Sequence, residues 1–174
     1  MYSRNQGMIL RTLIIVISFA SFGCKTVKYG FKGVSIPPEA KTISVAFFQN
    51  QAPMASPQEA QKFSEQLRSM VSSQTNLGLV KQNGDLQFEG KITDYNVQPV
   101  NIASSDQAAS NRLTITVSVH YANKFDETKN FEQTFTRFSD YKAAQPLSSV
   151  ESGLLDDINK QLTEDIFNKA FNNW

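Results

Sequence analysis

Strict alternation of apolar and polar residues makes the segment from Leu113 to Tyr121 the clearest strand in the chain. Apolar residues two positions apart lie on one face of a strand, and the residues between them lie on the other face. The pattern therefore predicts a half-buried strand with a core face and a polar face. The core face carries Leu113, Ile115, Val117, Val119 and Tyr121, and the polar face carries Thr114, Thr116, Ser118 and His120.

Shorter alternating segments predict two further strands. In "TISVAFFQN" the residues Ile43, Val45 and Phe47 share one face, while small residues occupy the other. In "NFEQTFTRFSDY" the aromatic residues Phe131 and Phe135 share a face. Both segments are rich in the β-branched and aromatic residues that are enriched in strands.

A fourth strand is predicted in "GDLQFEGKITDYNVQPV", where the apolar positions change parity part-way along. Leu86, Phe88 and Ile92 share one parity, whereas Tyr95 and Val97 share the other. A single extra residue in one strand produces such a change, because it shifts the register against the neighbouring strand. The pattern therefore predicts a β-bulge near Thr93 and Asp94.

Two segments show the three-to-four-residue spacing of amphipathic helices. In the first, Ser56 and Glu59 have the spacing of a capping box, and in the second Ser148 and Glu151 do. The second helix ends in aromatic residues, which we expect to pack on the sheet or to face a partner. The apolar stripes are Ala60, Phe63, Leu67, Met70 and Val71, then Leu154, Leu155, Ile158, Leu162 and Ile166, with Phe167, Phe171 and Trp174 at the end.

The order of these elements is β-α-β-β-β-α, which predicts an α+β fold in two layers. A four-stranded, largely antiparallel sheet would bury its apolar face under the two helices. The chain contains no internal repeat, and its length of 174 residues suits one domain with an N-terminal appendage. We therefore expect a single α+β domain over residues 42–174.

The N-terminal residues 1–23 have the features of an export signal. Arg4 and Arg11 lie before an apolar run that is too short for a stable membrane span. Cys24 follows this run. Gly23-Cys24 resembles a lipobox, although Ser21 stands where an aliphatic residue is usual. We expect Cys24 to be acylated and residues 24–41 to form a tether. The alternative is an ordinary secretory signal followed by an unpaired thiol.

Composition and motifs exclude several classes of function. The chain has 17 basic and 16 acidic residues, so it lacks the basic surplus that nucleic-acid binding requires. His120 is its only histidine and Cys24 its only cysteine, and no nucleophile, phosphate-loop or dinucleotide motif occurs. We therefore expect no enzyme, no metal, no cofactor and no nucleic-acid partner.

The segment from Pro99 to Asn111 is long for a connection between two strands. It is polar and rich in small residues, which fits either an exposed hairpin tip or a finger that inserts into a partner. The sequence leaves these two alternatives open. The candidate contact residues in this loop are Pro99, Asn101, Ile102, Ser105, Asp106 and Asn111.

Five segments together resemble the divergent branch of the lipopolysaccharide-assembly lipoprotein (LptE) family. They are "YGFKGVSIPPEAKTISVAFFQNQAP", "GDLQFEGKITDYNV", "NRLTITVSVHYANK", "NFEQTFTRFSDY" and "LTEDIFNKAFNNW". The resemblance implies two helices on a four-stranded sheet, in agreement with the pattern above. It also implies an outer-membrane, lipid-anchored protein that sits inside a large β-barrel partner, facing the periplasm or the barrel lumen. The two proteins would insert lipopolysaccharide into the outer leaflet, and the lipoprotein would help the barrel to assemble.

The resemblance suggests where such a protein would meet its partners. The polar strand residues Thr114, Thr116 and Ser118 would face the polar interior of the barrel. Four basic residues are candidate contacts to glycolipid phosphates or to the partner: Lys91, Arg112, Lys124 and Arg137. Two other functions stay open, namely a lipid-anchored scaffold or chaperone of another outer-membrane machine, and a hydrolase with an unrecognised site.

Overall fold

The computed structural model describes residues 35–100 and 109–172, and these residues fall in one compact unit. They form six strands, two α-helices and a short 3-10 helix at Glu127–Lys129. In chain order the elements are β1 (Thr42–Val45), β2 (Gln49–Asn50), α1 (Pro57–Gln74), β3 (Gly78–Val80), β4 (Leu86–Val100), β5 (Ser110–Asn123), β6 (Phe131–Lys142) and α2 (Leu147–Phe171).

The strands form one mixed sheet in the order β3-β1-β4-β5-β6, with β2 pairing against β4 beside β1. The long strands β4, β5 and β6 are antiparallel, whereas β1 is parallel to both β3 and β4. The α+β class and the two-layer arrangement are confirmed. The sheet has six strands rather than four, because β2 and β3 are only two and three residues long and show no alternation that a sequence pattern could reveal.

Both helices cover the same face of the sheet, and the alternating apolar residues of β4 and β5 lie beneath them. The predicted bulge is confirmed, since the register between β4 and β5 shifts between Ile92 and Asp94. The described residues of the helix stripes are buried as predicted, except that Met70 is half-buried, and Phe171 packs edge-on against Phe88 and Tyr121. Fully buried core residues include Ile43, Phe63, Leu67, Leu86, Leu113, Ile115, Val117, Val119, Ile158, Leu162 and Ile166.

The expected alternation along β1 is wrong at Phe47, which is 56% exposed. The strand ends at Val45, and the chain then leaves the ladder, so the two-residue period no longer applies. Phe48 turns into the core instead, where its backbone N–H donates to Ser64 Oγ at 2.9 Å. Phe47 therefore lies on the opposite side of the sheet from the helices.

Neither predicted capping box forms. Helix α1 begins at Pro57 after Ser56, but Ser56 makes no side-chain capping bond, and the Glu59 side chain is buried. Helix α2 begins at Leu147 after Pro146, so Ser148 lies inside the helix. The Glu151 carboxylate accepts a hydrogen bond from Tyr95 on the sheet at 2.5 Å. Both glutamates thus form tertiary contacts, which their local spacing does not reveal.

The sheet has two distinct ends, which we call the Ser35 end and the hairpin end. At the Ser35 end, the backbone N–H of Ser35 donates to the last turn of α2 at the Phe171 carbonyl, 2.6 Å away. At the hairpin end, β4 and β5 remain paired to Val100 and Ser110. Pro99 and Asn111 are therefore paired strand residues, and the connecting loop is shorter than the sequence suggested.

Several sequence-based expectations fall outside the described residues. These are the signal over residues 1–23, the acylation of Cys24, most of the tether over residues 24–41, and Trp174. The last residues before β1 are described from Ser35 onward, and Ala40 among them is buried in the core. In the described ranges 35–100 and 109–172, neither helix is long and apolar enough to span a membrane.

Candidate functional site

One face of the sheet is not covered by either helix, and we call it the open face. It consists of the residues of β4, β5 and β6 that alternate with the buried core positions. The polar residues predicted on β5 lie here, and each has a cross-strand partner on β6. From the hairpin end to the Ser35 end, the β5–β6 pairs are Arg112–Asp140, Thr114–Phe138, Thr116–Thr136, Ser118–Thr134 and His120–Glu132.

Hydroxyl side chains occupy the centre of the open face. Thr116 and Thr136 lie opposite each other with their hydroxyl oxygens 3.0 Å apart, and Thr93 Oγ1 donates to the Thr116 carbonyl. These side chains are short and β-branched, so their χ1 angles are restricted, and together they form a polar surface. Such a surface suits contact with another polar wall.

A shallow hollow of about 300 Å³ opens on the same face toward the Ser35 end. The exposed ring of Phe47 forms one side of it, and Lys91, Ser118 and His120 contribute side chains from β4 and β5. His120 is exposed, as predicted for the polar parity of its strand. In the described ranges no group of three or more histidine, cysteine or acidic side chains could hold a metal ion.

Arg112 lies on the open face near the hairpin end, where its guanidinium is bound to Asp140. The two bonds measure 2.7 and 2.9 Å, and the guanidinium carbon also lies 3.6 Å from the centre of the Phe138 ring. The bond to Arg112 holds the pKa of Asp140 below its usual value. Arg112 is therefore neutralised by its own chain.

The other three candidate basic residues do not lie with Arg112. Arg137 points to the helix side of the sheet, where it binds Asp165 of α2 through bonds of 2.5 and 2.8 Å. Lys91 lies on the open face beside the hollow, and Lys124 is exposed in the turn after β5, at the Ser35 end. The structure thus brings no two of the four together in one cluster.

The structure describes only two of the six candidate loop residues. Pro99 and Asn111 face each other as the penultimate pair of the β4–β5 ladder. Asn101, Ile102, Ser105 and Asp106 lie outside the described residues. Their role as partner contacts stays a prediction.

A buried polar pair joins the two helices, and the sequence analysis did not anticipate it. Glu59 on α1 and Asn159 on α2 are each 1% exposed, and Asn159 Nδ2 donates to Glu59 Oε1 at 2.6 Å. Glu59 Oε2 and Asn159 Oδ1 are buried without a hydrogen-bond partner. Burial raises the pKa of Glu59. The two residues are 100 positions apart, so no local pattern signals the contact.

Comparison with known proteins identifies the family. The lipopolysaccharide-assembly family model, LptE, matches residues 40–170, from the approach to β1 almost to the end of α2. The chain belongs to the LptE family. Membership assigns it to lipopolysaccharide assembly and to a non-enzymatic family of membrane-associated lipoproteins. No curated protein sequence matches the chain significantly.

Solved structures of other proteins are similar to this chain at low sequence identity. A hemagglutinin homolog from Helicobacter pylori is 9% identical, with a TM-score of 0.51 over 81% of this chain and 88% of that chain. A minor lipoprotein from Acinetobacter baumannii is 16% identical, with a TM-score of 0.46 over 76% of this chain and 97% of that one. The Helicobacter likeness supports the fold of this LptE-family chain and nothing more specific.

Proposed function

We propose that this LptE-family protein is anchored to the outer membrane through Cys24 and occupies the lumen of a β-barrel lipopolysaccharide translocon. The two proteins together would place lipopolysaccharide in the outer leaflet, and the lipoprotein would help the barrel to assemble. The observation that carries this proposal is the open face, which is rich in hydroxyl and charged side chains and is covered by neither described helix. Family membership supports the lipopolysaccharide role.

The chemistry of the open face fits the wall of a barrel lumen. Barrels in the outer membrane are apolar outside and polar within, because their strands alternate between lipid-facing and lumen-facing residues. A protein that fits into such a lumen needs polar side chains that hydrogen-bond to the wall. Thr114, Thr116 and Ser118 provide hydroxyls for this purpose. The Arg112–Asp140 pair adds no net charge that would have to be buried.

The long strands exceed the height of the apolar band of an outer-membrane barrel. β4 has 15 residues, so it extends about 50 Å at the usual rise of a strand. The apolar band of an outer-membrane barrel is about 25 Å tall. A domain of this length could keep its Ser35 end on the periplasmic side while the hairpin end reaches far into the lumen. The loop after Pro99 would then contact the barrel wall or its lateral opening.

Glycolipid contact by basic residues belongs to the same proposal. In the described ranges the ammonium groups of Lys91 and Lys124 have no ion-pair partner, so either can bind a phosphate without breaking an existing bond. Arg112 and Arg137 would first have to release Asp140 and Asp165. Lys91 and Lys124 are therefore the better candidates of the four.

Replacing Thr116 with arginine tests the role of the open face. The new side chain projects from the centre of the face and would separate the two surfaces, so we expect barrel recovery to fall at least tenfold. The measurement is a mild-detergent pull-down of the full-length protein from membranes of its host, with mass spectrometry of the bound proteins. Ser72→Arg also replaces a hydroxyl residue with arginine, on the exposed side of α1, and serves as the matched control.

Each outcome of the pull-down has a defined meaning. Recovery of one large β-barrel in equal amounts by the unmodified protein and by Ser72→Arg, but not by Thr116→Arg, supports the proposal. Recovery of unrelated periplasmic proteins would favour the scaffold alternative. Equal loss of the barrel in both variants would contradict a specific role for the open face. The melting temperature of each variant shows whether the fold is intact.

A further inference from the structure

Strand β6 forms an edge of the sheet along its whole length in the described part of the chain. Its 12 residues pair with β5 in a continuous register, and no described strand lies on its other side. It contains no proline and no bulge, which are two of the devices that prevent pairing at an edge. A long regular edge presents a row of backbone donors and acceptors that another strand can bind.

The charges of β6 indicate which strand would bind there. β6 carries four charged side chains, and two of them, Arg137 and Asp140, are bound within their own chain. The other two, Glu132 and Lys142, lie near opposite ends of the strand and have no ion-pair partner in the described ranges. Their signs are opposite, so the edge is complementary to itself when it is turned end to end.

We propose that two copies of this chain pair through antiparallel β6 strands, about a two-fold axis that passes beside Arg137. Such an axis runs perpendicular to the sheet, so the open faces of both copies lie on the same side. A residue that points to the open face must then meet a residue of the other copy that also points there. Glu132 of each copy lies opposite Lys142 of the other, which creates two ion pairs.

The register that matches the charges pairs eleven of the twelve residues of β6, from Glu132 to Lys142. A shift that places Glu132 opposite Asp140 brings two carboxylates together, and like charges in directly opposed positions are destabilising. A shift the other way leaves Glu132 without a partner strand and shortens the ladder. In the matched register the two Arg137 side chains meet at the axis, but each is neutralised by Asp165 of its own chain.

This inference goes beyond the proposed function, because it concerns the chain when no barrel is bound. Pairing would protect an edge that would otherwise be open to aggregation. It leaves the centre of the open face and the hairpin end uncovered. Its test requires no translocon, so it can fail while the proposed function holds, and the reverse is also true.

Charge reversal in purified full-length protein tests the pairing. The association constant is measured in detergent micelles by sedimentation equilibrium, with the detergent matched in density. We expect a dimer for the unmodified protein and at least a tenfold weaker association for Glu132→Lys or Lys142→Glu, since each places like charges opposite each other. The double variant E132K/K142E restores opposite charges, so its association should return to within about threefold of the unmodified value.

A control variant distinguishes pairing at the β6 edge from general effects of charge and from two chains that merely share a micelle. Glu65→Lys reverses a charge on the exposed side of α1 and should leave association unchanged. A protein that stays monomeric at high concentration overturns the proposal. A dimer that resists both single reversals, or that the double variant does not restore, overturns it as well.

Discussion

Replacing Glu59 with alanine is expected to lower the free energy of unfolding by about 2–4 kcal/mol, whereas glutamine should not lower it at neutral pH. Alanine leaves the buried Asn159 amide without a partner and opens a cavity between α1 and α2. Glutamine keeps the shape of the side chain and adds an N–H that can donate to Asn159 Oδ1. Chemical denaturation of the unmodified protein and both variants measures the difference.

The difference between the alanine and glutamine variants depends on the two unpaired oxygens of the Glu59–Asn159 pair. Glu59 Oε2 and Asn159 Oδ1 are both acceptors while the carboxyl is ionised, so neither can bind the other. A single proton on Glu59 turns its carboxyl into a donor and allows both atoms to be satisfied. The raised pKa of Glu59, caused chiefly by burial, favours this neutral form in the folded protein. Asn159 lowers the pKa through its hydrogen bond and Lys62 through its charge, while Asp156 and Glu151 raise it.

The sign of the pH dependence follows from this shift. Because the folded pKa of Glu59 lies above the model-peptide value of 4.5, the folded chain holds a proton that the unfolded chain releases. The contribution of Glu59 to stability is complete below about pH 4.5, and it decreases as the pH rises toward the folded pKa. Glutamine does not titrate, so the stability gap between Glu59→Gln and the unmodified protein should widen from pH 5 to pH 8. An equal pH dependence in both proteins would contradict a neutral Glu59.

Replacing Gly90 with alanine is expected to lower the free energy of unfolding by about 2–4 kcal/mol, near the upper range for overpacked cores. A Cβ at this position would overlap the backbone carbonyl oxygen of Ser118 and lie 2.6 Å from Phe48 Cε1. The oxygen belongs to the β5 ladder, so it cannot move without disturbing the β4–β5 pairing. Thermal or chemical denaturation of the purified domain measures the loss.

Gly153→Ala is the matched control, since it adds the same methyl group at another glycine. A Cβ at Gly153 meets nothing within 4 Å, and the residue lies inside α2. Alanine should therefore raise stability by about 0.5–1 kcal/mol, through the better helix propensity of alanine. A loss of less than 1 kcal/mol for Gly90→Ala would show that β4 and β5 can separate more easily than their register suggests.

The sequence predicted the elements in which buried residues recur at a regular spacing over many positions. β5 and α2 each contain at least four buried residues at the spacing of their element, so a wrong register would place all of them in solvent. The bulge between Ile92 and Asp94 could be predicted for the same reason, because apolar residues on both sides of it indicate opposite parities. β3 could not be predicted, since three residues contain too little of any pattern.

The contacts that link distant parts of the chain were not predictable from local spacing. Glu59 has a capping-box spacing from Ser56, yet its carboxylate binds Asn159 of the other helix. Arg112 and Arg137 were candidates for contact with glycolipid phosphates, but each lies within reach of an aspartate 28 residues away. These partners depend on how β5, β6 and α2 are arranged around each other. The polar face of β5 was predictable, because it follows from the alternation of a single strand.

The bulge in β4 has a consequence for the motions of the sheet. β1 and β2 pair with β4 only as far as Ile92, so beyond the bulge no described strand covers its outer side. The sheet there is three strands wide with two free edges in the described part of the chain, whereas nearer Ser35 it is wider. Backbone amides from Asp94 to Val100 should therefore exchange with solvent through local opening, and those from Leu86 to Ile92 mainly through global unfolding. The protein would combine a rigid base with an arm that can bend while the base stays folded.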